Sequence, residues 1–92
     1  MLYKVKTALR ITTPAFDEEI TDLISAALAD LGIAGVTETD TSNALINRAV
    51  ITYCKVHFGD LDTAEYDRLK ASYDEQKAQL SMAEGFTDWL NA

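Results

Sequence analysis

Cys54 and His57 lie three residues apart and are the only cysteine and the only histidine in the chain. On a helix this spacing brings both side chains to one face, where they could share a metal ion or act as a thiol nucleophile with its base. A structural zinc site needs four such ligands, and a Cys–His nucleophile needs a third group that orients the base. Because the spacing alone supplies neither, we interpret Cys54 as a buried thiol and His57 as a partly packed imidazole.

A cluster of acids is the second candidate for chemistry. Asp17, Glu18, Glu19 and Asp22 could be paired carboxylates or a site for a divalent ion. Only Glu18 and Asp22 share a helix face, and acids at the start of a helix already stabilise its dipole. The sequence contains no phosphate-binding glycine loop, no G-x-S-x-G elbow and no HExxH motif. We therefore predict that the protein is not an enzyme and uses no catalytic residue, no metal and no cofactor.

The composition indicates one soluble domain that spans residues 1–92. Fifteen acidic residues against eight basic ones give a net charge of −7. This charge argues against binding to nucleic acid or to an anionic membrane, since both need clustered Lys and Arg. A single cysteine cannot form an internal disulfide, which favours a reducing cytosol. No apolar run reaches the ~18–20 residues of a membrane span.

Hydrophobic periodicity predicts an all-α fold, a small bundle of about four helices. Thr13 and Pro14 form a start signal, Gly32 is expected to end the second helix, and Asp40 or Thr41 is expected to cap the third. The third helix has the widest apolar face, so we expect it to be the most buried helix. In the fourth helix, helical character is expected to fade after Leu80 or Met82. The predicted helices span about 2–10, 14–31, 42–58 and 62–82.

Two clusters of opposite charge are candidate interaction surfaces. Lys4, Lys6 and Arg10 form the only local basic patch, and Asp17, Glu18 and Asp22 follow it on the second helix. Contact between unlike patches on neighbouring copies is how head-to-tail interfaces close into rings. The alternative is two ordinary solvated faces, and the residues alone favour this alternative.

The C-terminal segment is unusual because large apolar residues follow Gly85 in the last positions, where disorder normally concentrates. Phe86, Trp89 and Leu90 fold back on the core, anchor a partner, or fray without a role. We predict a flexible or refolding tail. The connection at 32–41 is long for a helix–helix loop and could carry function.

The order of apolar and charged residues along nearly the whole chain is similar to that of a known family. The segments that carry the similarity are Val5-Lys6-x-x-Leu9-Arg10-Ile11, Phe16-Asp17-x-Glu19-Ile20-x-x-Leu23-Ile24-x-x-Ala27, Ala49-Val50-Ile51-x-Tyr53, Phe58-Gly59, Tyr73 with Leu80, and Gly85-Phe86-Thr87-Asp88-Trp89. In combination they resemble the head–tail connector (adaptor) proteins of tailed bacteriophages.

The resemblance implies a structural virion assembly protein that forms a ring under the portal, extends the DNA channel and docks the next connector or tail component. Its partners would be other copies of itself, the portal protein and a downstream head-completion or tail protein, with no cofactor and no membrane. The free chain could be a monomer. It would be found in the host bacterial cytoplasm during assembly and then at the head–tail junction of the virion.

We further expect Glu38 and Asp40 to face the channel, where acids would keep passing DNA from binding. The main alternative function is a small acidic phage protein that mimics DNA and inhibits a host DNA-processing enzyme. A DNA mimic should carry acids that are spaced like phosphates along one exposed face. The acids here instead cluster at helix starts and alternate with bases in the fourth helix, which disfavours this alternative. A helix-turn-helix regulator is disfavoured by the net charge.

Overall fold

The computed structural model describes residues 1–33, 43–58 and 61–91, with side chains as far as Met82. Every regular element in these ranges is helical, which confirms the predicted all-α bundle. The elements are α1 (Leu2–Leu9), a 3-10 turn (Pro14–Phe16), α2 (Asp17–Ile33), α3 (Ala44–His57) and α4 (Thr63–Asn91).

The end of α1 is set by an unusual backbone conformation. Arg10 follows the helix with φ of 60°, in the left-handed region. The next amide, Ile11 N–H, donates to the Lys6 carbonyl at 2.9 Å, which closes the helix end in a Schellman-type cap. An arginine in this conformation carries steric strain that a glycine would not.

The start of the second helical segment follows the predicted signal. Thr13 Oγ1 accepts a hydrogen bond from the Ala15 N–H at 3.2 Å, with Pro14 in the first turn. This turn is a 3-10 turn, so α2 itself begins at Asp17. The prediction that Gly32 ends the helix is wrong, because α2 continues to Ile33. One glycine near a helix end costs only about 1 kcal/mol, which packing can offset.

Helix α3 is the centre of the bundle, as predicted, and contacts α1, α2 and α4. Its buried residues are Ile46, Asn47, Ala49, Val50, Cys54 and Val56. The cap predicted at Asp40 or Thr41 is instead Asn43, whose Oδ1 accepts the amides of Leu45 and Ile46 at 2.9 and 3.4 Å. Asn43 directly precedes the first turn of α3, so its side chain reaches these orphan amides.

Helix α4 runs antiparallel to α3, since Tyr73 contacts Tyr53 while Leu80 lies near Leu45. Asp62 caps its start by accepting the Glu65 amide at 2.8 Å, at the spacing of a capping box. The predicted end near Leu80 or Met82 is wrong, because the helical backbone continues to Asn91. The last residues include good helix formers and no proline, so Gly85 alone does not stop the helix.

The core lies between α2, α3 and α4, with one contribution from α1. Some large apolar residues lie outside this core: Phe16 is 43% exposed and Leu45 is 50% exposed. Phe16 precedes α2 in the 3-10 turn and so lies out of phase with its apolar stripe, although its ring still meets Phe58 at 5.5 Å. The core cluster comprises Val5, Ile20, Ile24, Ala27, Leu31, Ile46, Ala49, Val50, Cys54, Tyr73 and Leu80.

Candidate interaction surfaces

Helix α1 borders an open groove with a volume of about 620 Å³. Val5, fully buried, fixes α1 on the core, while Tyr3 on the same helix is 81% exposed. The groove therefore combines apolar walls with a fixed backbone, a combination typical of binding sites. We call it the α1 groove; it is lined by Leu2, Tyr3, Lys6, Thr7, Arg10, Ile11 and Thr12.

The predicted basic patch is divided between one internal ion pair and two exposed cations. Lys6 Nζ lies 2.6 Å from Asp17 Oδ1, and the Lys6 side chain is only 17% exposed. Lys6 and Asp17 thus form an ion pair within the chain. Lys4 and Arg10 are exposed and have no acidic partner among the described residues.

The predicted acidic patch lies directly beside this basic one. Asp17 is half-buried against Lys6, whereas Glu18 and Asp22 are exposed. Asp17, Glu18 and Glu19 occupy the first turn of α2, where they stabilise the helix dipole as expected. The structure thus brings Lys6 and Asp17 together within one chain and leaves the remaining charges of both patches accessible.

A polar cluster between α2 and α4 was not anticipated from the sequence. The Tyr73 hydroxyl donates a hydrogen bond to Asp30 Oδ2 at 2.6 Å, and Lys77 Nζ approaches the same oxygen at 3.3 Å. Lys77 also lies 5.3 Å from the centre of the Tyr73 ring, in cation–π range. The sequence contains only a weak indication of this cluster. Asp30 is an isolated acid beside Leu31, and Tyr73 and Lys77 lie one helical turn apart.

This cluster shifts the pKa values of its members in consistent directions. The hydrogen bond from Tyr73 is the main cause that lowers the pKa of Asp30, and the Lys77 charge acts the same way against burial. Burial, followed by the bond to Asp30, raises the pKa of Tyr73. Asp30 is thus held as a carboxylate and Tyr73 as a neutral donor, so the cluster stabilises the packing of α2 against α4.

Cys54 and His57 do not form a joint site. Cys54 is fully buried, and burial raises the pKa of its thiol to about 11. His57 is exposed, and its ring contacts that of Tyr53 at a tilt of 41° with ring centres 4.2 Å apart. Among the described residues no group of three or more His, Cys, Asp or Glu side chains is arranged to hold a metal ion.

Several residues of the predicted surfaces fall outside what the structure describes. Glu38 and Asp40 belong to the segment between α2 and α3 that is not described. Phe86, Trp89 and Leu90 lie on the helical backbone of α4, beyond the last described side chain. Their predicted roles remain predictions.

Within the described ranges, no helix has both the length and the hydropathy that crossing a bilayer requires.

Comparison with known proteins places the chain by its family. No curated protein and no solved structure matches it significantly. A family model described as phage connector protein matches residues 1–87, which include α1, α2, α3, most of α4 and both charged patches. This match agrees with the resemblance to head–tail connectors and supports a role as a structural connector in a phage. The chain therefore belongs to the phage connector protein family.

Proposed function

We propose that the protein is a head–tail connector (adaptor) that assembles into a ring under the portal, extends the DNA channel and docks the next connector or a tail component. The family match over residues 1–87 is the observation that carries this proposal. Assembly would take place in the bacterial cytoplasm, and the product would be part of the head–tail junction of the virion.

The exposed charges support assembly from identical copies. Lys4 lies on α1 and Arg10 directly follows it, while Glu18 and Asp22 lie on α2. None of the four has a partner of opposite charge among the described side chains. Surfaces of unlike sign on neighbouring copies attract, and a head-to-tail contact that repeats with a closing rotation produces a ring. The buried core of α1 to α4 keeps each copy in shape while these surfaces meet.

Two sequence segments complete the proposal. Phe86, Trp89 and Leu90 would anchor a neighbouring subunit or the portal, since buried aromatic side chains dominate the binding energy of interfaces. Glu38 and Asp40 would face the channel, where negative charge repels DNA phosphates and lets DNA pass without binding. No cofactor takes part in either role.

Deletion of residues 85–92 tests the docking role. We expect the truncated chain to retain most of its helical circular dichroism signal and to lose binding to the portal protein of the same phage. The replacement of Glu75, an exposed residue of α4 before the tail, by alanine is the matched control and should leave portal binding unchanged. Portal binding that survives the deletion would refute the docking role of the tail.

Replacement of Glu38 and Asp40 by lysine tests the channel role separately. If these residues line the channel, the added positive charge should slow DNA release from assembled particles, and the effect should weaken as salt is raised. Unchanged release would place the segment elsewhere. If the chain instead stays monomeric and binds a host DNA-processing enzyme in competition with DNA, the DNA-mimic alternative is correct.

A further inference from the structure

We propose that the α1 groove of each copy binds the C-terminal segment, residues 83–92, of the next copy. This inference rests on the proposed ring and specifies which surfaces form its subunit contact. The occupant is a second copy of this chain, and the contact is head-to-tail.

The geometry separates the groove from this segment within one chain. The α1 groove lies near the start of α2, because its Lys6 contacts Asp17 and the adjacent Phe16 meets Phe58. Phe58 directly precedes the region where α4 starts, so the groove and the first residues of α4 are at the same end of the bundle. Helix α4 has 29 residues and spans about 43 Å, which puts its last turns at the other end.

Helix α4 also extends past the start of α3. Among the side chains that the structure describes, Leu80 is the last residue of α4 in the core cluster, and it lies level with Leu45 in the second position of α3. The helical backbone then continues eleven residues to Asn91, about 16 Å beyond Leu80. A helix that extends this far past α3 can reach a neighbouring molecule, but it cannot reach the groove of its own chain without reversing direction.

The groove and the segment are complementary in charge. Arg10 lines the groove, is exposed and lacks an acidic partner among the described residues. The segment contains Glu84 and Asp88 and no Lys or Arg. The acids at the start of α2 lie at the same end of the molecule as the groove itself. One of them, Asp17, already pairs with Lys6.

The apolar residues are complementary as well. Phe86, Trp89 and Leu90 have the i, i+3, i+4 spacing of an amphipathic helix that binds in a groove. The α1 groove offers Leu2, Tyr3 and Ile11 between its polar residues, in a volume of about 620 Å³ that suits several large side chains. Because the two surfaces are at opposite ends of one chain, each copy can bind two others, and the contact can propagate around a ring.

Cross-linking of engineered cysteines tests the contact in the full chain. Thr7→Cys places a thiol in the groove, and Asn91→Cys places one at the end of α4. The native Cys54 is left in place, because it is fully buried and its pKa is raised to about 11. The two variants are mixed and treated with a short bismaleimide, both alone over a range of concentrations and on the portal protein. The control mixture replaces the groove cysteine by Thr21→Cys, an exposed site on α2 outside the groove.

We expect the groove mixture to give a heterodimeric product in clear excess over the control. The variant Arg10→Gly should lower that excess roughly two- to fivefold, the effect of one exposed ion pair. It should not unfold the chain, since glycine suits the positive φ at this position. Trp89→Ala should lower the excess roughly thirtyfold, as truncation of an interface anchor does.

Equal yields in the two mixtures, both free and on the portal, would overturn the inference. So would an intramolecular cross-link in a monomeric double variant Thr7→Cys/Asn91→Cys, because the groove would then hold the tail of its own chain. Portal-bound rings without the preferential cross-link would refute this contact and leave the connector role standing. Failure to bind the portal at all would refute the connector role itself.

Discussion

The bond between Tyr73 and Asp30 gives a quantitative test of how α4 is held against α2. Replacement of Tyr73 by phenylalanine removes only the hydroxyl and keeps the ring, which contacts Tyr53 with centres 5.3 Å apart. The lost bond is 2.6 Å long and its acceptor is charged. Hydrogen bonds to charged groups contribute about 1.5–3 kcal/mol. Because the Asp30 side chain is 34% exposed, we expect the lower end, about 1.5 kcal/mol.

Urea denaturation followed by circular dichroism measures this loss in the free energy of unfolding. The matched control is Tyr66→Phe on the same helix, whose hydroxyl has no hydrogen-bond partner among the described residues. It should change the free energy of unfolding by less than about 0.5 kcal/mol. A double-mutant cycle with Asp30→Asn should give a coupling energy close to the single Tyr73→Phe loss.

The pH dependence of the same difference follows from the pKa of Asp30. The folded state lowers this pKa below its unfolded value of 3.8, so the contribution is fully present above that value. It is lost as the pH falls through the folded pKa. The cost of Tyr73→Phe should therefore shrink between pH 7 and about pH 2.5. An equal cost at both pH values, or a coupling energy near zero, would refute the role of the charged bond.

Three further predictions concern the helix ends, the core and the internal ion pair. Asn43→Ala should lower the free energy of unfolding by about 1 kcal/mol, because two amides of α3 lose their acceptor. Urea denaturation measures this loss, and a change near zero would contradict the assigned cap. In the folded protein at pH 8, Cys54 should react with a thiol reagent far more slowly than in the protein unfolded by urea, because the thiol is buried and its pKa is raised to about 11. Equal rates would mean that this core position opens readily. Asp17→Asn should lower the free energy of unfolding by at most about 1 kcal/mol, because the acid of the Lys6–Asp17 pair is 38% exposed. High salt should reduce the difference in stability between the variant and the original chain. A loss that does not depend on salt would indicate an effect on packing instead.

The helices could be predicted from the sequence because each has a periodic apolar face and local end signals. Thr13 with Pro14 and the Asp62–Glu65 pattern are examples, and both caps are present. Two helix ends were predicted wrongly: that of α2, where Gly32 was interpreted as a stop signal, and that of α4, which was expected near Leu80 or Met82. Helix α2 passes through Gly32 and α4 through Gly85, because the surrounding residues favour helix enough to offset the cost.

The surfaces were harder to predict than the helices, since they depend on contacts between residues distant in sequence. Lys6 and Asp17 were assigned to opposite patches, and their proximity arises only when α1 packs beside the start of α2. The bond from Tyr73 to Asp30 joins residues 43 positions apart. No periodicity encodes such a pair, because it depends on the angle at which α2 crosses the hairpin of α3 and α4.

Electron microscopy of the full chain mixed with the portal protein of the same phage tests the central claim most directly. We expect closed rings of this protein, coaxial with the portal and open at the centre, and no such rings when residues 85–92 are deleted. Portal particles that remain bare at saturating concentrations of the intact chain would contradict the connector role.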